Sequence, residues 1–125
     1  MLRVDSYPIV ARTAFPFTLV GVLLLALLPE RLLEILDMAF TSNHDKLNHA
    51  AAFAVLAALG SLGWPEQKTK LVVFLLLIGA AIEILQGTQL IARDRDVFDW
   101  LADGAGMICG LVVAGLITRL AGALR

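Results

Sequence analysis

Apolar runs long enough to cross a lipid bilayer fill most of this chain. The polar residues that interrupt them cluster toward the ends of those runs. A bilayer span needs about 20 mostly apolar residues as a helix. Runs of that kind lie at 13–29, 46–64, 71–91 and 96–120, the first slightly short. These runs and the composition support the expectation of an all-α membrane protein. It has four transmembrane helices in an antiparallel bundle and a single domain over 1–125. Hydrophobic residues make up 59% of the sequence and charged residues 17%, a balance too apolar for an ordinary soluble domain.

The net charge of −1 gives no reason to expect nucleic acid as a partner. Cys109 is the one cysteine, so no intrachain disulfide can form. Ile108 and Gly110 flank it in an apolar run, which predicts a small buried core residue. The N-terminus has the outline of a secretion signal, with Arg3 and Arg12 before an apolar run. That run ends in Pro29-Glu30-Arg31 without a small-x-small cleavage pattern, so it reads as a retained anchor.

Along the chain, Tyr7 and Pro8 suit a membrane-surface position. Pro16 is expected in the first turn of the first span, where a missing N–H costs little. Residues 30–44 interleave Glu30, Arg31, Glu34 and Asp37 with Leu32, Leu33, Ile35, Leu36, Met38 and Phe40. This pattern fits an interfacial helix between spans 1 and 2, or a helical extension of span 1. Ser42 and Asp45 have capping-box spacing before the second span. Trp64-Pro65 closes that span, and a polar loop, 66–70, leads to the third. Gly106 and Gly110 form a GxxxG pattern, which lets a neighbouring helix approach closely.

Alternating spans gather the polar residues. The second span begins on the face where the third ends and the fourth begins. Asp45, Lys46, His49, Glu83, Gln86, Arg95, Asp99 and Asp103 therefore share one side of the bilayer. Asp45 and His49, Glu83 and Gln86, and Asp99 and Asp103 are each spaced to point one way from their helix. Glu83 is expected about 10 Å below its helix end. An isolated charge in a span costs about 2.5–3.5 kcal/mol, so each is a functional candidate unless it is paired. The face with both termini carries six Lys and Arg, and the other face four. This asymmetry predicts cytoplasmic termini and an outward-facing polar recess.

The motifs Asp45-Lys46-x-x-His49, Glu83-x-x-Gln86 and Arg95-x-x-x-Asp99-x-x-x-Asp103-Gly104-x-Gly106 together resemble the VanZ-like family of small membrane proteins. The resemblance covers about residues 45–110. Family members usually carry Asn where Asp103 stands, so this chain adds a carboxylate. The founding member is associated with low-level teicoplanin resistance. The resemblance therefore implies a cell-envelope setting in the plasma membrane, but no particular reaction.

Structural readings stand beside the functional ones. Asp45, Asp96 and Asp99 are at helix starts, where acids cap. Lys46, Arg93 and Arg95 fit snorkelling anchors. Gly106 and Gly110 read as packing residues. Glu83 weighs most toward function, because a carboxyl within a span is expensive to keep. Several functions follow. In the first, an outward pocket binds a lipid-linked cell-wall intermediate or a glycopeptide, with Lys46 and Arg95 taking phosphate or carboxylate. In the second, His49, Glu83, Asp99 and Asp103 serve a hydrolase of a lipid phosphate, through a metal or an acid/base pair. Proton-coupled transport and a structural partner subunit are further readings. No HExxH or phosphatase signature is present, so no cofactor, metal or catalytic residue is assigned. Membrane lipids are expected partners, and a homo-oligomer is compatible.

Overall fold

The computed structural model describes residues 6–35, 45–89, 91 and 96–125. Among these the chain is helical: α1 (Tyr7–Leu27), α2 (Glu30–Ile35), α3 (Asp45–Gly63), α4 (Lys68–Gln86) and α5 (Val97–Ala123), with a 3₁₀ turn, Pro65–Gln67, between α3 and α4. Three helical stretches are long and apolar enough to cross a membrane: Tyr7–Leu27, Pro65–Gln86 and Val97–Ala123. The helix α3 is not among them. Its first turns carry Lys46, Asn48 and His49, and much of the rest is alanine.

That composition fits the place of α3, which packs against α1, α4 and α5, most extensively against α5. Contacts fix the directions. Arg12 meets Gly63 while Gln86 meets Ala26, so α1 runs opposite to α3 and parallel to α4. Glu83 lies beside His49 and Asp96, so α4 opposes both α3 and α5. Lys46 meets Asp96 and His49 meets Asp103, so α3 and α5 run the same way.

The core follows helical spacing. Phe53, Leu56, Ala57 and Gly60 form the buried stripe of α3, Leu75, Gly79 and Ile82 that of α4, and Met107, Gly110 and Ala114 that of α5. Each stripe continues into polar residues at the same end of the bundle: His49 on α3, Glu83 and Gln86 on α4, Asp99 and Asp103 on α5. The outer faces are apolar, with Phe17, Leu24, Leu77, Ile108 and Leu120 all exposed. So much exposed hydrocarbon is costly in water and suits lipid as the surrounding solvent.

Several expectations change. The first helix begins at Tyr7 rather than 13, because Pro8 occupies its first turn; Pro16 is therefore interior. Pro16 is exposed, and spans tolerate such a residue where neighbours or water satisfy the freed carbonyl. The chain breaks at Leu28, whose extended backbone (φ −65°, ψ 130°) is what a following proline favours. Pro29 O then accepts from Leu32 N and Leu33 N to start α2, so 30–35 is a separate short helix and not an extension. Its Leu33 is buried. Residues 36–44 lie outside the described residues. The helix α4 ends at Gln86, not 91, and Glu83 is therefore about 4.5 Å from its end instead of 10 Å. Cys109 is exposed, not buried. It stands one position before Gly110 and two after Met107, which face the core, so the helical turn carries it outward.

At the opposite end from the polar cluster, Arg12 Nε donates to Gly63 O at 2.6 Å. This carbonyl is one of those that a helix C-terminus leaves unpaired. The guanidinium also sits 5.9 Å from the Trp64 ring, whose edge packs on Phe15 at 5.6 Å. Arg12→Ala is expected to lower stability by about 1–2 kcal/mol, read by thermal unfolding in detergent. Arg12→Lys should recover little of it, because a point ammonium cannot reproduce the planar stack.

Candidate functional site

The site assembles where the three core stripes turn polar. His49 Nδ1 lies 2.7 Å from Asp103 Oδ1, joining α3 to α5. One proton held between these atoms gives a strong, charge-assisted contact. The ring is thereby oriented so that Nε2 points toward α4, 3.9 Å from Glu83 Oε1. Glu83 is held from its other oxygen, Oε2, which accepts from the Asp96 backbone N–H at 3.1 Å. Exposure is 7% for His49, 6% for Glu83, 2% for Asp99 and 0% for Asp103, so all four are withdrawn from solvent.

Lys46 closes the outer edge. Its Nζ donates to Asp96 Oδ2 at 2.8 Å and lies 3.4 Å from Asp99 Oδ1. Asp96 precedes α5 and caps it, its Oδ1 accepting from Phe98 N–H at 2.9 Å. The Lys46 hydrogen bond, helped by that N–H, holds the Asp96 carboxyl below the ordinary aspartate range.

The small residue Gly79 makes the α4–α5 contact close. A Cβ there would come within 2.6 Å of Asp103 Oδ2 and 3.1 Å of Trp100 Cδ1. Trp100 Nε1 in turn donates to Leu76 O at 3.1 Å, which ties α5 to α4 just inside the cluster. Gly106 and Gly110 stand at the α3–α5 interface, where a Cβ would collide with the Ala50 and Ala54 carbonyl oxygens. Helix packing is the use the structure makes of them.

The candidates thus divide. Lys46, His49, Glu83, Asp99 and Asp103 come together. Gln86 is fully buried but faces α1, where its Nε2 donates to Ala26 O at 2.9 Å and anchors the end of that helix. Asp45 opens α3, and its side chain lies outside the described residues, as do Arg93 and Arg95. The candidate set omits three contributors: Asp96, Trp100 and Gly79. The signal for Asp96 was its place just before an apolar helix; nothing local marked Trp100 or Gly79.

Among the described residues the site is acidic, with four carboxyls, Glu83, Asp96, Asp99 and Asp103, against Lys46 and His49. Two buried oxygens, Glu83 Oε1 and Asp103 Oδ2, have no hydrogen-bond partner. Buried carboxylate oxygens without donors are costly and favour a cation, a proton or a hydroxyl-rich ligand. His49, Glu83 and Asp99 each offer one atom that could ligate a metal ion. No protein-family model, curated protein or solved structure matches this chain, so the geometry alone carries the functional argument.

Proposed function

We propose that this chain is a VanZ-like integral protein of the cell envelope that binds a polar head group in a recess at one membrane boundary. In this reading α3 crosses the plasma membrane along with α1, α4 and α5, giving a four-span antiparallel bundle. Both termini face the cytoplasm and the recess opens outward. The observation that carries the reading is the meeting of His49, Glu83, Asp99 and Asp103 at the polar end of three buried stripes. Asp103 is paired with His49 and Asp99 with Lys46, but Glu83 Oε1 is buried without a hydrogen-bond partner, a cost that a bound ligand would offset.

The ligand class follows from the charge. Lys46 is already engaged by Asp96 and Asp99, so it is not a ready anion site. The carboxyls favour amines and sugar hydroxyls, which lipid-linked cell-wall intermediates and glycopeptides both present. Binding such a head would alter glycopeptide susceptibility by shielding or sequestering it. A second reading, acid/base hydrolysis of a lipid phosphate, draws on the His49–Asp103 pair, which is arranged as a base and its orienting carboxylate.

Expression in a glycopeptide-susceptible host tests the reading. The wild-type chain is expected to raise teicoplanin tolerance, and Glu83→Gln to return it to the vector level at equal membrane abundance. Tolerance fully retained in both Glu83→Gln and Arg95→Ala would reject the recess as the working part. Release of phosphate from a lipid pyrophosphate by the wild type, lost in His49→Ala, would favour the hydrolase instead. Reporter fusions at 67 and at 91 are expected to report opposite sides of the membrane.

A further inference from the structure

We infer that His49, Glu83 and Asp99 form a binding site for a divalent first-row transition-metal ion, oriented from behind by Asp103. The inference rests on the head-group reading for its purpose: a lipid-linked intermediate carries phosphate beside the sugar hydroxyls that the carboxyls favour, and an ion would let the acidic recess accept that phosphate too.

Four observations lead there. First, one candidate ligand atom from each of His49, Glu83 and Asp99 lies within 4.8 Å of the others, and all three residues are buried. They come from α3, α4 and α5, so the convergence is tertiary and not the by-product of one helix turn. Second, His49 Nε2 and Glu83 Oε1 are 3.9 Å apart. That is too long for a hydrogen bond. Two ligands of one ion, each at about 2.0–2.1 Å, stand at most about 4.2 Å apart, so the gap is within reach of a shared ion. Third, Glu83 Oε1 is buried with no hydrogen-bond partner, although Oε2 of the same carboxyl is held by the Asp96 N–H. The carboxylate is thus oriented by one oxygen and presents the other to the gap. Fourth, Asp103 Oδ1 sits on His49 Nδ1 at 2.7 Å. A ligating histidine almost always gives its remaining ring N–H to such a partner, which fixes the tautomer and raises the basicity of the coordinating nitrogen.

The donor set selects the ion class. One imidazole and two carboxylates suit Zn²⁺, Mn²⁺ or Fe²⁺. They are too few oxygens for Ca²⁺, which takes six to eight. Three protein ligands leave coordination positions open, and an anionic oxygen from a head group could fill one. The dication would also offset the two ligating carboxylates.

The test uses the full chain, purified in detergent, stripped with chelator and titrated with Zn²⁺ and Mn²⁺ separately, without added lipid. Calorimetry for zinc and the free-ion paramagnetic resonance signal for manganese are expected to give one ion per chain, with zinc the tighter. His49→Ala and Glu83→Gln should each weaken binding by more than about 100-fold, and Asp103→Asn by about 10–100-fold, because the amide still holds the imidazole but no longer raises its basicity with a charge. Glu66→Gln, at the other end of the bundle, should leave affinity unchanged. If His49→Ala lacks the wild-type helical signal, His49→Gln is read in its place. No saturable wild-type binding of either ion at millimolar concentration would overturn the site, as would equal affinity across all the ligand variants. Either result leaves the head-group reading to the tolerance assay. Conversely, a confirmed ion with tolerance unaffected by Glu83→Gln would retain the site and remove that reading.

Discussion

Gly106→Ala and Gly110→Ala are expected to destabilise the bundle, whereas Gly115→Ala is expected to stabilise it slightly. All three glycines lie within α5, where alanine is intrinsically favoured over glycine by about 1 kcal/mol. Nothing lies within 4 Å of a Cβ placed on Gly115, so only the propensity gain remains there. On Gly106 and Gly110 the new methyl would overlap the Ala50 and Ala54 carbonyl oxygens. These are backbone atoms of α3 and cannot rotate aside, so the two helices must separate. Overpacking of this kind costs about 1–3 kcal/mol per site, and occasionally more. Leucine in place of alanine should prevent folding. The readout is the unfolding midpoint in mixed micelles. Because α3–α5 is the most extensive interface and carries the His49–Asp103 contact, loss of helix packing should also disperse the site. A lowered midpoint for Gly115→Ala together with a raised one for Gly106→Ala would show that α3 and α5 do not meet along this stripe.

How much of this was legible beforehand depended on whether a residue's role is local. Four apolar runs read as spans by length, and three of them lie in helical stretches long and apolar enough to cross a membrane. The GxxxG pair is legible by spacing, because length and spacing are both properties of one helix. Convergence of His49, Glu83, Asp99 and Asp103 follows from alternating direction plus i, i+4 spacing, which also needs no side-chain detail. Helix ends were harder. Leu90 and Ile91 restore an apolar boundary beyond Gly87-Thr88-Gln89, so a hydropathy reading runs to 91, whereas the helix stops at Gln86 with Gly87 as its C-cap and Glu83 lies nearer its end. The first helix was shortened for the converse reason: Tyr7 and Pro8 look interfacial, yet proline is at home in a first turn. Gln86 shares a face with Glu83, but whether a polar side chain turns to the cluster or to α1 is decided by which neighbour places an acceptor within reach, and that is tertiary information. Cys109 was misplaced because an apolar neighbourhood in sequence says nothing about which side of a lipid-facing helix is buried. The supporting role of Gly79 depends on Asp103 crossing above it, 24 residues later in the chain.

Asp103→Ala is expected to be among the most damaging single changes, and a double replacement to be much milder than that single one. Asp103 is fully buried, and its partner His49 is 7% exposed. Removing the carboxyl leaves His49 Nδ1 with no acceptor at that position, in a site that water does not readily enter. Breaking a buried pair from one side costs about 3–5 kcal/mol. Replacing both partners with well-packed apolar residues is often neutral or even stabilising, because both desolvation penalties disappear together. His49→Leu with Asp103→Leu should therefore recover most of the loss, and it also removes the unpartnered Asp103 Oδ2. Asp103→Asn keeps an acceptor for the imidazole and should lie near the wild type. Mixed-micelle unfolding of the four corners of this cycle measures the coupling directly. Additive single effects would show that His49 and Asp103 do not act as a pair. A large coupling, with a stable double variant that no longer raises teicoplanin tolerance, would separate the two demands on this site. The fold would then be shown to tolerate hydrocarbon here, so that the buried histidine and carboxyl are kept for what they bind.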